Sequence, residues 1–221
     1  MSLFARLQDA AAPIRERIHA HPFVRGLGDG SLPLERYQFY LRQDYLFLIE
    51  YGRVLALAAA RAQDLAVSAR FSDLLNMTLN TEMELHRRAC WAAGIPPEDL
   101  EDTRPAPTTV AYTHHIRLAA ETGDLPLILA AILPCAHGYW EIARGLRAGG
   151  LPGEPLYADW IRMYTSDEYE AMAEWLAGLL DEAGGDLPAG REDGLREAFL
   201  LSERYEYLFW EMAWRMEAWP V

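Results

Sequence analysis

The sequence predicts an all-α chain folded as a single-domain helical bundle over residues 1–221, on the strength of three observations. Apolar residues recur at spacings of three and four through long segments, the period of a helix face turned to a core. Alternating β-branched residues, the mark of a half-buried strand, are nearly absent. Short Gly/Pro/Asp clusters punctuate the segments, and none forms a linker long enough to separate a pair of domains. With 51% hydrophobic residues the chain can bury a sizeable core.

Taken in order, the first helix spans 3–20, where apolar residues alternate with acids and bases in an amphipathic pattern unlike a signal peptide. "GLGDGSLP" (26–33) is a turn cluster that precedes a long helix over 33–62. A third helix runs over 65–92 and stops at "AGIPPEDLEDTRPAPTT" (93–109). Helices over 108–122 and 125–148 are divided by "ETGDLP" (121–126), and "RAGGLPGEP" (147–155) precedes one over 155–164. The last two helices, 167–183 and 191–218, flank "AGGDLPAG" (183–190). No run of eighteen apolar residues occurs, so no membrane span is expected.

Three helices carry polar groups in unusual company. On 33–62, Tyr37, Tyr40, Asp44, Phe47 and Tyr51 share one stripe. An ionised Asp44 there needs partners: the hydroxyls of Tyr40 or Tyr51, a half-exposed stripe, or a ligand. On 191–218, "SERYEYLFWEMAW" (202–214) sets Glu206 on the face of Phe209 and Trp210, as a helix–helix ion pair or as a carboxyl of raised pKa fit for general acid work. Glu203 and Glu211 fall off that stripe and read as solvent charges. On 125–148, "LPCAHGYWEI" (133–142) places Cys135, Gly138, Tyr139 and Ile142 on one face, with His137 directed elsewhere. Pro134 is expected to kink or restart the helix. Gly138 leaves room beside the sulfur, which is either a packing thiol or a nucleophile facing a flat ligand.

Several chemistries are disfavoured. Glu precedes a His by three residues only once, at Glu16 and His19, whereas a helical di-iron site requires such a pair on each of two helices; Glu82 and His86, four apart, read as a helix-surface contact. The two cysteines, Cys90 and Cys135, form neither a zinc spacing nor a disulfide framework and suit a reducing cytoplasm. No phosphate loop, dinucleotide fingerprint or serine elbow is present. The net charge of −13 argues against nucleic acid. "ELHRRAC" (84–90) and "RGLRAG" (144–149) are the best local basic patches, and both read as solvated faces.

Five blocks resemble the TenA family, the thiaminase II or aminopyrimidine aminohydrolase group: residues 21–60, "PTTVAYTHHI" (107–116), "LPCAHGYWEIA" (133–143), "YADWIRMYTSDEY" (157–169) and "SERYEYLFWEMAW". They follow in order across nearly the whole chain. The resemblance implies a haem-oxygenase-like fold, a homotetramer, and neither metal nor organic cofactor. It implies hydrolysis of thiamine or of 4-amino-5-aminomethyl-2-methylpyrimidine, the latter giving the hydroxymethyl pyrimidine for thiamine salvage. Carried over by position, it makes Cys135 the nucleophile, Glu206 the catalytic carboxylate and Asp44 the pyrimidine-binding aspartate. Tyr112 and Tyr164 match tyrosines that bond or enclose the ring, and Tyr51 and Tyr139 are further lining residues. Phe47 falls where relatives can carry Tyr, so this chain lacks a hydroxyl there. Cys135 places the chain in the cysteine-containing branch. The competing readings are a haem protein using His19 or His21, a pyrroloquinoline quinone synthase-like oxidase, and a non-catalytic thiamine- or pyrimidine-binding partner of a regulator. The oxidase would need several His and Arg in its pocket, whereas these stripes are aromatic and acidic.

Overall fold

A computed structural model describes residues 1–185, 187–188 and 190–221. Asp186 and Ala189, in the turn cluster read at 183–190, lie outside the described residues. Among the described residues the regular structure is helical, without strand. The helices are α1 (Leu3–His19), α2 (Pro22–Asp29), α3 (Leu34–Arg61), α4 (Leu65–Asn76), α5 (Met83–Ala92), α6 (Pro97–Glu101), α7 (Pro107–Thr122), α8 (Leu125–Ala148), α9 (Pro155–Tyr164), α10 (Asp167–Gly184) and α11 (Arg191–Arg215).

Local chemistry sets these boundaries. Ser2, His21, Asp64, Glu154 and Ser166 each accept a backbone N–H of the first turn they precede. Proline opens α2, α6, α7 and α9, where its missing N–H leaves no bond unmade.

Four expectations are corrected. The cluster at 26–33 is not all turn: α2 runs through Gly26 to Asp29 and ends at Gly30, whose φ of 82° is left-handed. Gly26 is required by packing, because a Cβ there would meet the Leu32 backbone at 3.0 Å. The long loop 93–109 contains the short α6. The single helix expected over 65–92 is interrupted by a π-helical segment, Met77–Glu82, between α4 and α5. A π turn takes in an extra residue and rotates the face that follows, which one 3.6-residue period cannot anticipate. At Pro134 no restart occurs, and α8 continues through it.

The chain falls into two compact units. One comprises Met1–Leu32 with Leu129–Glu211, the other Pro33–Ile128 with Met212–Val221. In the first, Leu129–Leu133 of α8 are buried, as are Phe23, Leu27, Ile161, Leu176 and Trp210. In the second, Tyr37, Tyr40, Leu55, Phe71, Ile95, Tyr112 and Ile116 are buried, and Arg36 lies over the ring of Trp214 at 3.6 Å. α8 is long and apolar enough to cross a membrane, but 61% of that stretch is already buried in the protein, as in a core helix.

Candidate functional site

In the unit formed by Pro33–Ile128 and Met212–Val221, the aromatic stripe of α3 is wholly buried: Tyr37, Tyr40, Asp44, Phe47 and Tyr51 are each at most 6% exposed. A half-exposed stripe is therefore excluded as the account of Asp44. The ring of Phe47 stacks on Tyr51 at 6.2 Å and tilts against Tyr112 of α7 at 4.9 Å, so three of the predicted ring-lining residues come together. With no hydroxyl, Phe47 contributes only ring surface to this group.

The neighbour of Asp44 that spacing did not single out is His86 of α5. Its Nε2 lies 3.3 Å from Asp44 Oδ2, with both side chains buried. The expected surface contact of Glu82 with His86 is corrected accordingly, since His86 turns inward toward α3. Burial, with a smaller push from Arg87, holds the imidazole down at about 4, and it is neutral at pH 7. On the far side of the ring, Nδ1 contacts Cys90 Sγ at 3.5 Å. That thiol is pushed up to about 12, first by burial and then by the negative charge of Asp44. One turn before His86, burial raises Glu82 to about 7 against a lowering hydrogen bond with Thr78.

In the unit formed by Met1–Leu32 and Leu129–Glu211, α8 is buried from Leu129 to Pro134, and the run then opens. Cys135, His137 and Gly138 are half-buried, while Ala136, Tyr139 and Trp140 are buried. A Cβ at Gly138 would meet nothing within 4 Å, so this position has open space around it. His137 is turned away as expected: Nδ1 faces the Gln8 amide at 3.3 Å, and the ring packs edge-on against Phe4. The ring of Tyr139 packs on Tyr164 at 5.0 Å and on Trp210 at 5.2 Å. This gathers two more predicted residues into one aromatic wall.

On α11 Glu206 is buried, as its place on an aromatic face requires. Glu203 and Glu211 are corrected. Glu203 is only 5% exposed. Burial pushes its carboxyl up to about 8, Arg15 opposes that shift, and the neighbouring Glu206 adds to it. Glu211 Oε2 lies 3.0 Å from His21 Nε2. Period-based reasoning missed Glu203 because it follows one face of a helix, whereas α11 buries more than one.

Other chemistries find less to work with. Among the described residues no three His, Cys, Asp or Glu side chains converge as metal ligands would. His21, one of the two haem candidates, is buried with Nδ1 accepting the Phe23 N–H and Nε2 against Glu211, so both ring nitrogens are occupied. In the expected basic patches, Arg87 and Arg88 face Glu101 and Glu84, Arg144 lies over Trp140, and Arg147 bonds Thr165.

Comparison with known proteins agrees with this helical architecture. Residues 8–216 match the TENA/THI-4/PQQC family. An aminopyrimidine aminohydrolase from Halalkalibacterium halodurans is 43% identical, with 99% of this chain and 98% of that protein aligned. The solved TenA homologue protein from P. horikoshii superposes with a TM-score of 0.90 at 29% identity, covering 97% of this chain and 99% of that one. At the level of fold alone, a domain of unknown function from Shewanella denitrificans, described as having a heme oxygenase-like fold, gives a TM-score of 0.75 at 15% identity, covering 96% of this chain and 92% of that one. This all-α chain, with Asp44 on its α3 stripe and Cys135 and Glu206 on α8 and α11, belongs to the TENA/THI-4/PQQC family.

Proposed function

We propose that this chain is an aminopyrimidine aminohydrolase of thiamine salvage, converting 4-amino-5-aminomethyl-2-methylpyrimidine, and thiamine, to 4-amino-5-hydroxymethyl-2-methylpyrimidine. The observation that carries the reading is the opening of α8 at Cys135 and Gly138, directly after the buried stretch Leu129–Pro134. It is supported by the match to the H. halodurans aminopyrimidine aminohydrolase along nearly the whole of both chains.

Direct displacement at the methylene on C5 is slow because the ring nitrogens withdraw electrons. In the proposed route the Cys135 thiolate adds to C6 while Glu206 delivers a proton to N1, giving an enamine-like ring. The electrons of that ring expel the protonated amine as ammonia, or the thiazole of thiamine, and leave an exocyclic methylene on C5. Water adds to that carbon and passes its second proton to the departed ammonia or, with thiamine, to solvent; Glu206 recovers the proton from N1, and the Cys135–C6 bond breaks to release thiolate and product. Asp44 accepts from the 4-amino group and fixes the ring's orientation, and Phe47, Tyr51, Tyr112, Tyr139 and Tyr164 supply aromatic and hydroxyl surface. No metal or organic cofactor takes part.

Mass-spectrometric product analysis with thiamine and aminomethylpyrimidine under identical conditions tests this directly. Hydroxymethyl pyrimidine with ammonia or thiazole is expected. Tight binding without turnover would instead mark a non-catalytic binding partner. A cytoplasmic homotetramer is the assembly we propose, supported by seven Trp, eleven Tyr and exposed apolar side chains such as Trp91, Leu65 and Leu118. Light scattering that gave a monomer at micromolar concentration would contradict it.

A further inference from the structure

Asp44 and His86 meet from two different helices, at 3.3 Å, with side chains 8% and 5% exposed. Nε2 makes no aligned hydrogen bond in this conformation, and a buried ring nitrogen left so is unusual. The opposite ring nitrogen has an evident partner in Cys90 Sγ, and the ring edge packs on Tyr45. Nε2 faces a carboxylate oxygen, which only accepts, so Nδ1 is the ring nitrogen left to accept from the Cys90 S–H. The imidazole then carries its own proton on Nε2, the atom that faces the carboxylate.

We propose that His86 is a positioning residue for Asp44, its Nε2–H completing a hydrogen bond to Oδ2 as the carboxylate takes up the 4-amino group of the ring. The proposal rests on the reading of Asp44 as the ring-binding carboxylate, and it assigns His86 a selectivity role that its position on α5 alone does not give. Cys90 sets the tautomer and does not touch the ligand. A neutral donor suits this role, because it orients the carboxylate without neutralising the charge that the 4-amino group needs.

The test compares equilibrium binding of 4-amino-5-hydroxymethyl-2-methylpyrimidine with that of the same ring lacking the 4-amino group. The wild type is expected to prefer the amino ligand. In His86→Phe that preference should fall by about tenfold or more, the value of a hydrogen bond to a buried charge. His86→Gln places an amide N–H near the Nε2 position and should keep the preference within about threefold of wild type. If His86→Phe does not fold, His86→Asn replaces it, because its amide reaches only the Nδ1 position. Equal weakening of both ligands, with the preference unchanged, would reduce His86 to a packing residue and overturn the proposal. A wild type that bound neither ligand would contradict the parent reading of Asp44 instead.

Discussion

In the unit that holds α3 and α5, Cys90 is 1% exposed, lies against His86, and has its thiol raised to about 12 by burial and by Asp44. In the other unit, Cys135 ends a buried stretch of α8, half-buried and three residues from a glycine with open space around it. Both cysteines are thiols on helices rich in apolar residues. What separates them is access, one of the properties that decide whether a thiol can attack a ligand. The carboxylates differ in the same way. Asp44 faces a neutral imidazole, whereas Glu206 lies one helical turn from a second buried acid, Glu203, whose proton is held to about pH 8. A residue type therefore carries little information here until its surroundings are known.

The largest expected effect breaks the comparison at the two sulfurs. Cys135→Ser should keep the fold and lose hydrolysis of aminomethylpyrimidine by orders of magnitude, because an alcohol is far less nucleophilic than a small thiolate fraction. Cys90→Ser should retain activity within about threefold, since its hydroxyl still donates to His86. Steady-state rates of the two purified variants, side by side, check both.

The carboxylates give the next largest effect. Glu206→Gln removes proton transfer and should lower kcat, by about 100-fold or more, with little change in KM. Asp44→Asn should raise KM as well, because it loses the ring anchor. Wild-type kcat/KM in both variants would refute the assigned roles.

The smallest effect is on stability. Glu203 has a folded value of about 8 against an ordinary 4.5, so it is protonated in the folded protein over a range where the unfolded chain is ionised. Its contribution is fully present below about pH 4.5 and is lost as pH rises through about 8. Relative to wild type, Glu203→Gln should therefore gain stability from pH 5 to pH 8. His86, held at about 4 against an ordinary 6.5, slopes the other way: stability is lost as pH falls from about 6.5 through 4. Urea denaturation at several pH values separates the two slopes.

Much of this was legible in the sequence, and what was not has physical causes. The helical period gave most helices to within a few residues, and it placed Tyr37, Tyr40, Asp44, Phe47 and Tyr51 on one buried stripe. It also turned His137 away from the face of Cys135 and Gly138, and Gly138 has open space around it. It failed where a local rule was broken. Glycines in 26–29 let α2 pack closely against Leu32 and Leu146, the π segment resets the face of α5, and α8 continues through Pro134 without restarting. His86 and Glu203 escaped for a related reason: their role depends on which neighbouring helix they meet, and a one-helix periodicity does not contain that information. A histidine four residues before a buried cysteine, on a helix that follows a polar six-residue segment, was the one available hint for His86.

The most direct measurement is peptide mapping by mass spectrometry after brief iodoacetamide treatment, with and without bound aminopyrimidine, in parallel with residual activity. The account predicts that Cys135 is alkylated first, that activity falls in step with that modification, that the pyrimidine protects both, and that Cys90 remains unmodified while the protein is folded. If Cys135 were alkylated without loss of activity, or equally fast with the pyrimidine bound, Cys135 would be a packing thiol and the chemistry would have to rest on the carboxylates alone.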